Sequence, residues 1–248
     1  MDKYGLIGYP LGHSFSISYF NEKFQNENID ATYENFEIPT IEELPEILDS
    51  NPELKGLNVT IPYKEKVISY LDSLSPEARE IGAVNVIKVT HKNKKTILKG
   101  FNSDVIGFTQ SIEPLLEHFH KKALILGTGG ASKAIDFGLK SLGLKTLKVS
   151  RYEKPGTIEY SHITADTIKE YNVIVNCTPC GMYPHADECP HLPYDAMDNH
   201  TLLYDLIYNP DETLFMKKGR IHGAIVKNGL EMLLLQAFAS WQFWNDER

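Results

Sequence analysis

The chain has 248 residues, of which 42% are hydrophobic and 23% charged, with a formal charge of −8. The negative balance gives no support to nucleic-acid binding, no apolar run is long enough to span a membrane, and three cysteines are too few for a disulfide scaffold. The length suits one large domain or two small ones, no secretory signal is visible near Met1, and a reducing, cytoplasmic setting is expected.

Taken in order, Tyr4–Tyr9 reads as a strand and Ser16–Asn28 as a helix with Ile17, Phe20 and Phe24 on one face. Thr32–Ile38 alternates as a strand, Ile41–Leu48 reads as a short helix, Leu57–Thr60 as a strand and Lys64–Leu71 as a helix. Ala83–Thr90 and Thr96–Lys99 flank His91-Lys92-Asn93-Lys94, a hairpin turn, so the first hundred residues predict an α/β layer on a mixed sheet. A helix from about Asp104 to Leu116 connects two lobes. Beyond it, Lys122–Leu126 is a buried strand, followed by a helical pattern to Leu142 and strands at Leu147–Ser150, Val173–Asn176, Leu202–Asp205 and near Ala224–Val226. This second half reads as a parallel, doubly wound sheet. In the last segment, Leu230, Leu234, Ala237, Trp241 and Trp244 form one helical stripe, read as core-facing.

Two local patterns carry chemistry. In Gly56-Leu57-Asn58-Val59-Thr60-Ile61-Pro62-Tyr63-Lys64-Glu65, a strand ends in an amide and a hydroxyl, Pro62 turns the chain, and a lysine follows. Such a lysine suits binding or proton transfer, although most lysines at such places are merely solvated. In the second pattern, Gly127-Thr128-Gly129-Gly130-Ala131-Ser132 follows a strand and opens a helix. Gly127 permits the tight turn, Gly129 lets a pyrophosphate approach the backbone, and the helix N-terminus offers amides and partial positive charge. At the end of the next strand, Ser150 and Arg151 stand where an NAD site usually has a carboxylate, and a guanidinium there favours NADP.

Further motifs complete a resemblance to the shikimate dehydrogenase family. They are Ser14-Phe15-Ser16, Gly82-Ala83-Val84-Asn85, Asn102-Ser103-Asp104-Val105-Ile106-Gly107, Tyr204-Asp205-Leu206-Ile207-Tyr208-Asn209-Pro210, and Gly229-Leu230-Glu231-Met232 with Gln236. Together with the two patterns above they cover nearly the whole chain. The resemblance implies reversible, NADPH-dependent reduction of 3-dehydroshikimate to shikimate in aromatic amino-acid synthesis, with the active site in a cleft between two domains. A substrate domain of residues 1–103 and 230–248 and an NADP-binding Rossmann-type domain of residues 104–229 are expected. Lys64 would supply the proton at the reacting oxygen with Asp104 as its partner. Ser14, Ser16 and Tyr208 would bind the substrate carboxylate, and Asn58, Thr60, Asn85 and Gln236 would hold the ring hydroxyls and position Lys64. Gly127, Gly129, Gly130, Ala131, Ser150, Arg151, Thr178, Gly229 and Met232 would hold the cofactor. The only implied partner is the small-molecule substrate, with no nucleic acid and no membrane, in a monomer or homodimer.

Blander readings stand beside these. Asp104 suits a helix N-cap, Ser14 and Ser16 suit capping of the helix that follows, and Arg151 suits a plain surface charge. Cys177-x-x-Cys180 with His185, Cys189 and His191 admits a zinc or redox reading, but the spacing is no standard finger and no metal is expected. A quinate/shikimate dehydrogenase using NAD and a non-catalytic nucleotide sensor are the competing functions. Ser16 and Arg151 argue against the first, and the Lys64–Asp104 pairing against the second. Departures from the family pattern are Ile17, Cys177, Cys180, Tyr152, Glu231 and the short Arg151–Thr164 segment, where the helix after the second strand is expected to be reduced or absent.

Overall fold

A computed structural model describes residues 1–12, 15–93, 95–152 and 154–246. The chain forms two compact units, Met1–Ser103 with Ala237–Arg248, and Asp104–Gln236.

The first unit contains β1 (Asp2–Gly8), α1 (Phe15–Asn26), β2 (Ala31–Glu37), α2 (Leu44–Ser50), β3 (Leu54–Val59), β4 (Ser73–Leu74), α3 (Pro76–Ile81), β5 (Val86–Lys92) and β6 (Lys95–Phe101). Its sheet runs β2-β1-β3-β5-β6-β4. β1 is parallel to β2 and β3, whereas β3–β5 and β5–β6 are antiparallel, so the sheet is mixed. Both faces are buried, and the period-two alternation sorts neighbours between them. Ile7 and Ile87 join one core with Leu44, Leu54, Leu57 and Val67. Tyr4 and Val86 join the other with Phe20, Phe24, Tyr33 and Trp244.

Three local expectations change here. The helix expected over Lys64–Leu71 is a five-residue 3-10 turn, Lys66–Tyr70, ending at extended Leu71. It stops because Asp72 is drawn at once onto β6, donating its N–H to Leu98 O and accepting the Leu98 N–H on Oδ2 at 2.7 Å. His91 and Lys92 belong to β5, paired with Thr96 and Lys95, and Asn93 turns the hairpin at φ +52°. His91 is held in the strand by its bond to Leu54 O. α3, absent from the sequence reading, carries ordinary signals: Ser75 accepts from Ala78 N, Pro76 opens the helix, and Gly82 closes it at φ +68°.

The second unit contains α4 (Asp104–Ile112), β7 (Lys122–Leu126), α5 (Gly130–Ser141), β8 (Lys145–Ser150), β9 (Thr157–Glu159), α6 (Ala165–Glu170), β10 (Val173–Asn176), β11 (Leu202–Asp205), α7 (Leu214–Ile221), β12 (Ile225–Lys227) and the start of α8 (Leu230–Asn245). The sheet is parallel throughout, in the order β12-β11-β10-β7-β8-β9. Helices cover both faces: Phe108, Ile135 and Leu139 on one, Phe215 and Met216 on the other. Strand order reverses at β7, which has β8 on one side and β10 on the other, so the crevice at its carboxyl end is the natural nucleotide position. Pro114 interrupts the helix expected to reach Leu116, and the chain continues as a 3-10 turn from Glu113 to Leu115. No α-helix occurs among the described residues between β8 and β9, as the short Arg151–Thr164 segment predicts.

The stripe expected along α8 is corrected. Leu230 and Leu234 are each 40% exposed, while Met232, Ala237, Ala239, Ser240 and Trp244 are buried. Apolar residues surround most of this helix, so spacing alone does not select the face that packs.

Candidate active site

In the first unit, Lys64 is fixed by its backbone. After β3, Thr60 N donates to Ile7 O and Tyr63 N donates to Thr60 O, closing a tight turn across Ile61-Pro62. The Tyr63 ring is buried and its hydroxyl donates to Ile38 O at 2.6 Å. Lys64 O then accepts from Val84 N at 2.7 Å, while the lysine side chain remains half-buried. Asn58 and Asn85 lie beside this turn and are buried. The Asn85 amide is closed on Ser103: Oδ1 accepts the Ser103 N–H at 2.6 Å and Nδ2 donates to Ser103 Oγ at 2.9 Å. Helix α1 begins at Phe15, so Ser16 sits inside its first turn and not at the cap. Ser14 lies outside the described residues.

In the second unit, Asp104 is the buried first residue of α4, where a carboxylate meets the positive end of the helix dipole. A Cβ on Gly107, one turn later, would stand 2.5 Å from Met232 O and 3.0 Å from Gln236 N, so glycine is what lets α4 lie against the start of α8. Gln236 donates Nε2–H to Leu233 O, and Met232 is buried in the core with Phe108. A Cβ on Gly229 would strike Leu206 O at 2.1 Å.

The glycine turn fits a dinucleotide. Gly127 adopts φ +109°, which favours glycine. A Cβ at Gly129 would meet nothing within 4 Å, so no packing demands glycine there, and the open space suits a phosphate. Gly129 precedes α5 without a side-chain cap, so no cap side chain takes up the first-turn amides. Ser132 turns inward and donates to Gly129 O at 2.6 Å. Ser150 ends β8 buried, Arg151 is exposed, and Lys154 Nζ donates to Thr128 Oγ1 at 3.1 Å. Across the switch point, Thr178 Cγ2 would lie 3.1 Å from a Cβ on Gly127, which brings these two sequence-named positions together.

Sequence reasoning missed what holds Thr178. Its N–H and Oγ1–H both donate to Asn176 Oδ1, at 3.0 and 2.6 Å, and Asn176 Nδ2 donates to Asp205 Oδ1 at 3.0 Å. Asp205 also accepts from Ile207 N and, at 2.7 Å, from Thr213 Oγ1. Burial pushes its carboxyl up to about 6, against the pull of those three donors. The signal was visible: β10 and β11 are apolar strands that end in a polar residue at the sheet's carboxyl edge. Tyr208, three residues beyond Asp205, is 37% exposed, and burial raises its phenol. Burial likewise raises the Cys177 and Cys180 thiols. Among the described residues no three His, Cys, Asp or Glu side chains gather as a metal site.

Residues 6–87 match the family model described as the shikimate dehydrogenase substrate binding domain. The chain is 38% identical to the shikimate dehydrogenase (NADP(+)) of Clostridium beijerinckii, over 99% of this chain and 93% of that protein. The chain belongs to the shikimate dehydrogenase family. The crystal structure of shikimate dehydrogenase from Aquifex aeolicus has a TM-score of 0.85 at 34% identity, covering 98% of this chain and 92% of that one. The shikimate 5-dehydrogenase of Thermus thermophilus, solved with NADP(H) and shikimate, also gives 0.85, at 28% identity over 99% and 94% of the two chains. Shikimate dehydrogenase relatives thus match both compact units.

Proposed function

We infer that this protein catalyses the reversible, NADPH-dependent reduction of 3-dehydroshikimate to shikimate, a step of aromatic amino-acid biosynthesis. The observation that carries the reading is the near-complete match to proteins named shikimate dehydrogenase (NADP(+)). The first unit is read as the substrate domain and the second as the NADP domain. NADPH, when bound, supplies hydride to the ketone carbon. The chain must then manage one proton at the ketone oxygen. We assign that to Lys64, whose ammonium donates in reduction and whose amine accepts in oxidation, with Asp104 as its partner. The pinned backbone of Lys64 supports the assignment, because a fixed stem limits where the ammonium can reach. Ser14, Ser16 and Tyr208 are assigned to the substrate carboxylate, and Asn58, Thr60, Asn85 and Gln236 to the ring hydroxyls and the placement of Lys64. Gly127, Gly129, Gly130, Ala131 and Ser150 would cradle the nucleotide, Arg151 would fork onto its 2′-phosphate, and Thr178, Gly229 and Met232 would serve its nicotinamide end. The enzyme is read as a cytoplasmic monomer or homodimer; its three free cysteines suit a reducing compartment.

The test is absorbance of NADPH formed by the purified protein with shikimate and NADP, with quinate as control. Turnover of shikimate well above that of quinate is expected; a clear quinate preference would sink the substrate assignment. Arg151→Ala is expected to raise the KM for NADP by roughly 10- to 100-fold, the worth of a charged hydrogen bond, while leaving that for shikimate unchanged. Equal KM for NADP in both proteins would remove Arg151 from the cofactor site.

A further inference from the structure

Asn58 and Asn85 direct their amides at buried partners within the first unit. Asn58 Oδ1 accepts the Tyr33 hydroxyl proton at 2.8 Å. Asn58 Nδ2 donates to Ser240 Oγ at 2.9 Å and to Asn85 O at 3.3 Å. Ser240 Oγ lies 3.1 Å from Ser103 Oγ, which accepts from Asn85 Nδ2. The chain of hydroxyls and amides therefore runs from Tyr33 through Asn58, Ser240 and Ser103 to Asn85. Tyr33, Asn58, Asn85, Ser103 and Ser240 are all buried.

We propose that Tyr33, Ser103 and Ser240 are positioning residues for the substrate subsite: the Tyr33 and Ser240 hydroxyls fix which way the Asn58 amide faces, and the N–H and hydroxyl of Ser103 fix the Asn85 amide. The inference rests on the assignment of Asn58 and Asn85 to the substrate region. An amide is nearly symmetric in shape, so its orientation is set by the donors and acceptors around it. The Ser103 N–H forces Asn85 Oδ1 toward itself, which turns Asn85 Nδ2 onto Ser103 Oγ. The Tyr33 phenol donates its proton to Asn58 Oδ1, which turns Asn58 Nδ2 onto Ser240. Asn85 O accepts from both Asn58 Nδ2 and Val59 N, so Asn58 ties the end of β3 to the segment entering β5. One residue earlier, Val84 N holds Lys64 O. Loss of one hydroxyl would leave a buried amide unmet and free it to turn.

The test compares Tyr33→Phe and Ser240→Ala with the wild-type enzyme and with Phe24→Leu, a core change that removes no polar atom. Both polar variants are expected to raise the KM for shikimate roughly tenfold, with the KM for NADP within about twofold of wild type; Phe24→Leu is expected to lower the melting temperature and leave both KM values alone. An unchanged shikimate KM in both polar variants, a matching rise for NADP, or the same rise in Phe24→Leu would overturn the positioning role. If Ser240→Ala does not fold, Tyr33→Phe decides, since it deletes one oxygen and keeps the ring. Failure of the wild-type protein to turn over shikimate would overturn the functional reading and this inference with it; normal wild-type turnover confines any failure to the inference.

Discussion

Lys64→Ala is expected to lower turnover of shikimate by roughly 10²- to 10⁴-fold, the usual contribution of a positioned acid or base, with NADP binding within about twofold of wild type. The size follows from the chemistry: hydride addition leaves charge on oxygen, and without a donor held beside it that charge must be met by solvent. The backbone around position 64 is secured by Val84 N, Thr60 O and the buried Tyr63 ring, none of which involves the lysine side chain. Truncation should therefore spare the fold, and NADP titration by fluorescence reports whether the cofactor domain is intact. Near-normal turnover in the variant would remove Lys64 from the mechanism and return it to the solvated lysine of the bland reading. Asp104 is buried at the start of α4, so Asp104→Asn, which keeps the shape, is the cleaner companion variant.

Trp244→Ala is expected to destabilise the protein by roughly 3–5 kcal/mol, the range for removing a buried aromatic side chain. Trp244 is 5% exposed, with ring centroids 4.8 Å from Tyr4 and 5.2 Å from Phe20. Its Nε1–H donates to Ile87 O at 3.1 Å. Its fit is tight enough that a Cβ on Gly56 would lie 2.3 Å from the indole. Alanine would open a void between α8 and the sheet and strip Ile87 O of its side-chain donor. Urea unfolding followed through the first unit checks this; a loss under about 1 kcal/mol would show that the indole is not what seats α8 on the sheet. Trp244→Phe, keeping most of the ring but not the donor, should fall between the two.

Much of this is legible in the sequence. Gly127 could be assigned to a tight strand–helix turn from its neighbours alone, because the demand for a left-handed φ is local. β7, β10 and β11 run from Lys122 to Leu126, Val173 to Asn176 and Leu202 to Asp205, as read, because short apolar runs bounded by polar or glycine residues fit a strand buried on both faces. The motifs carrying the resemblance led to the family that the full-length relatives bear out. The failures are equally physical. Spacing places Leu230 and Leu234 in the core because a helix with apolar residues on most sides offers more than one face. The segment after Lys64 has the spacing of a regular helix, and nothing within it signals that Asp72 pairs with Leu98.

The sequence by itself determined the main strands, the mixed and parallel halves, the glycine turn and the family, since these rest on periodicity, backbone permissions and motif spacing within short windows. Only the tertiary structure decided which polar groups are already spoken for. Ser240 stands 182 positions from Asn58 yet takes its amide proton, and Asp205 holds the Asn176 that orients Thr178. Such bonds form because burial obliges each polar atom to find a partner wherever the fold delivers one, and no local spacing records where that will be.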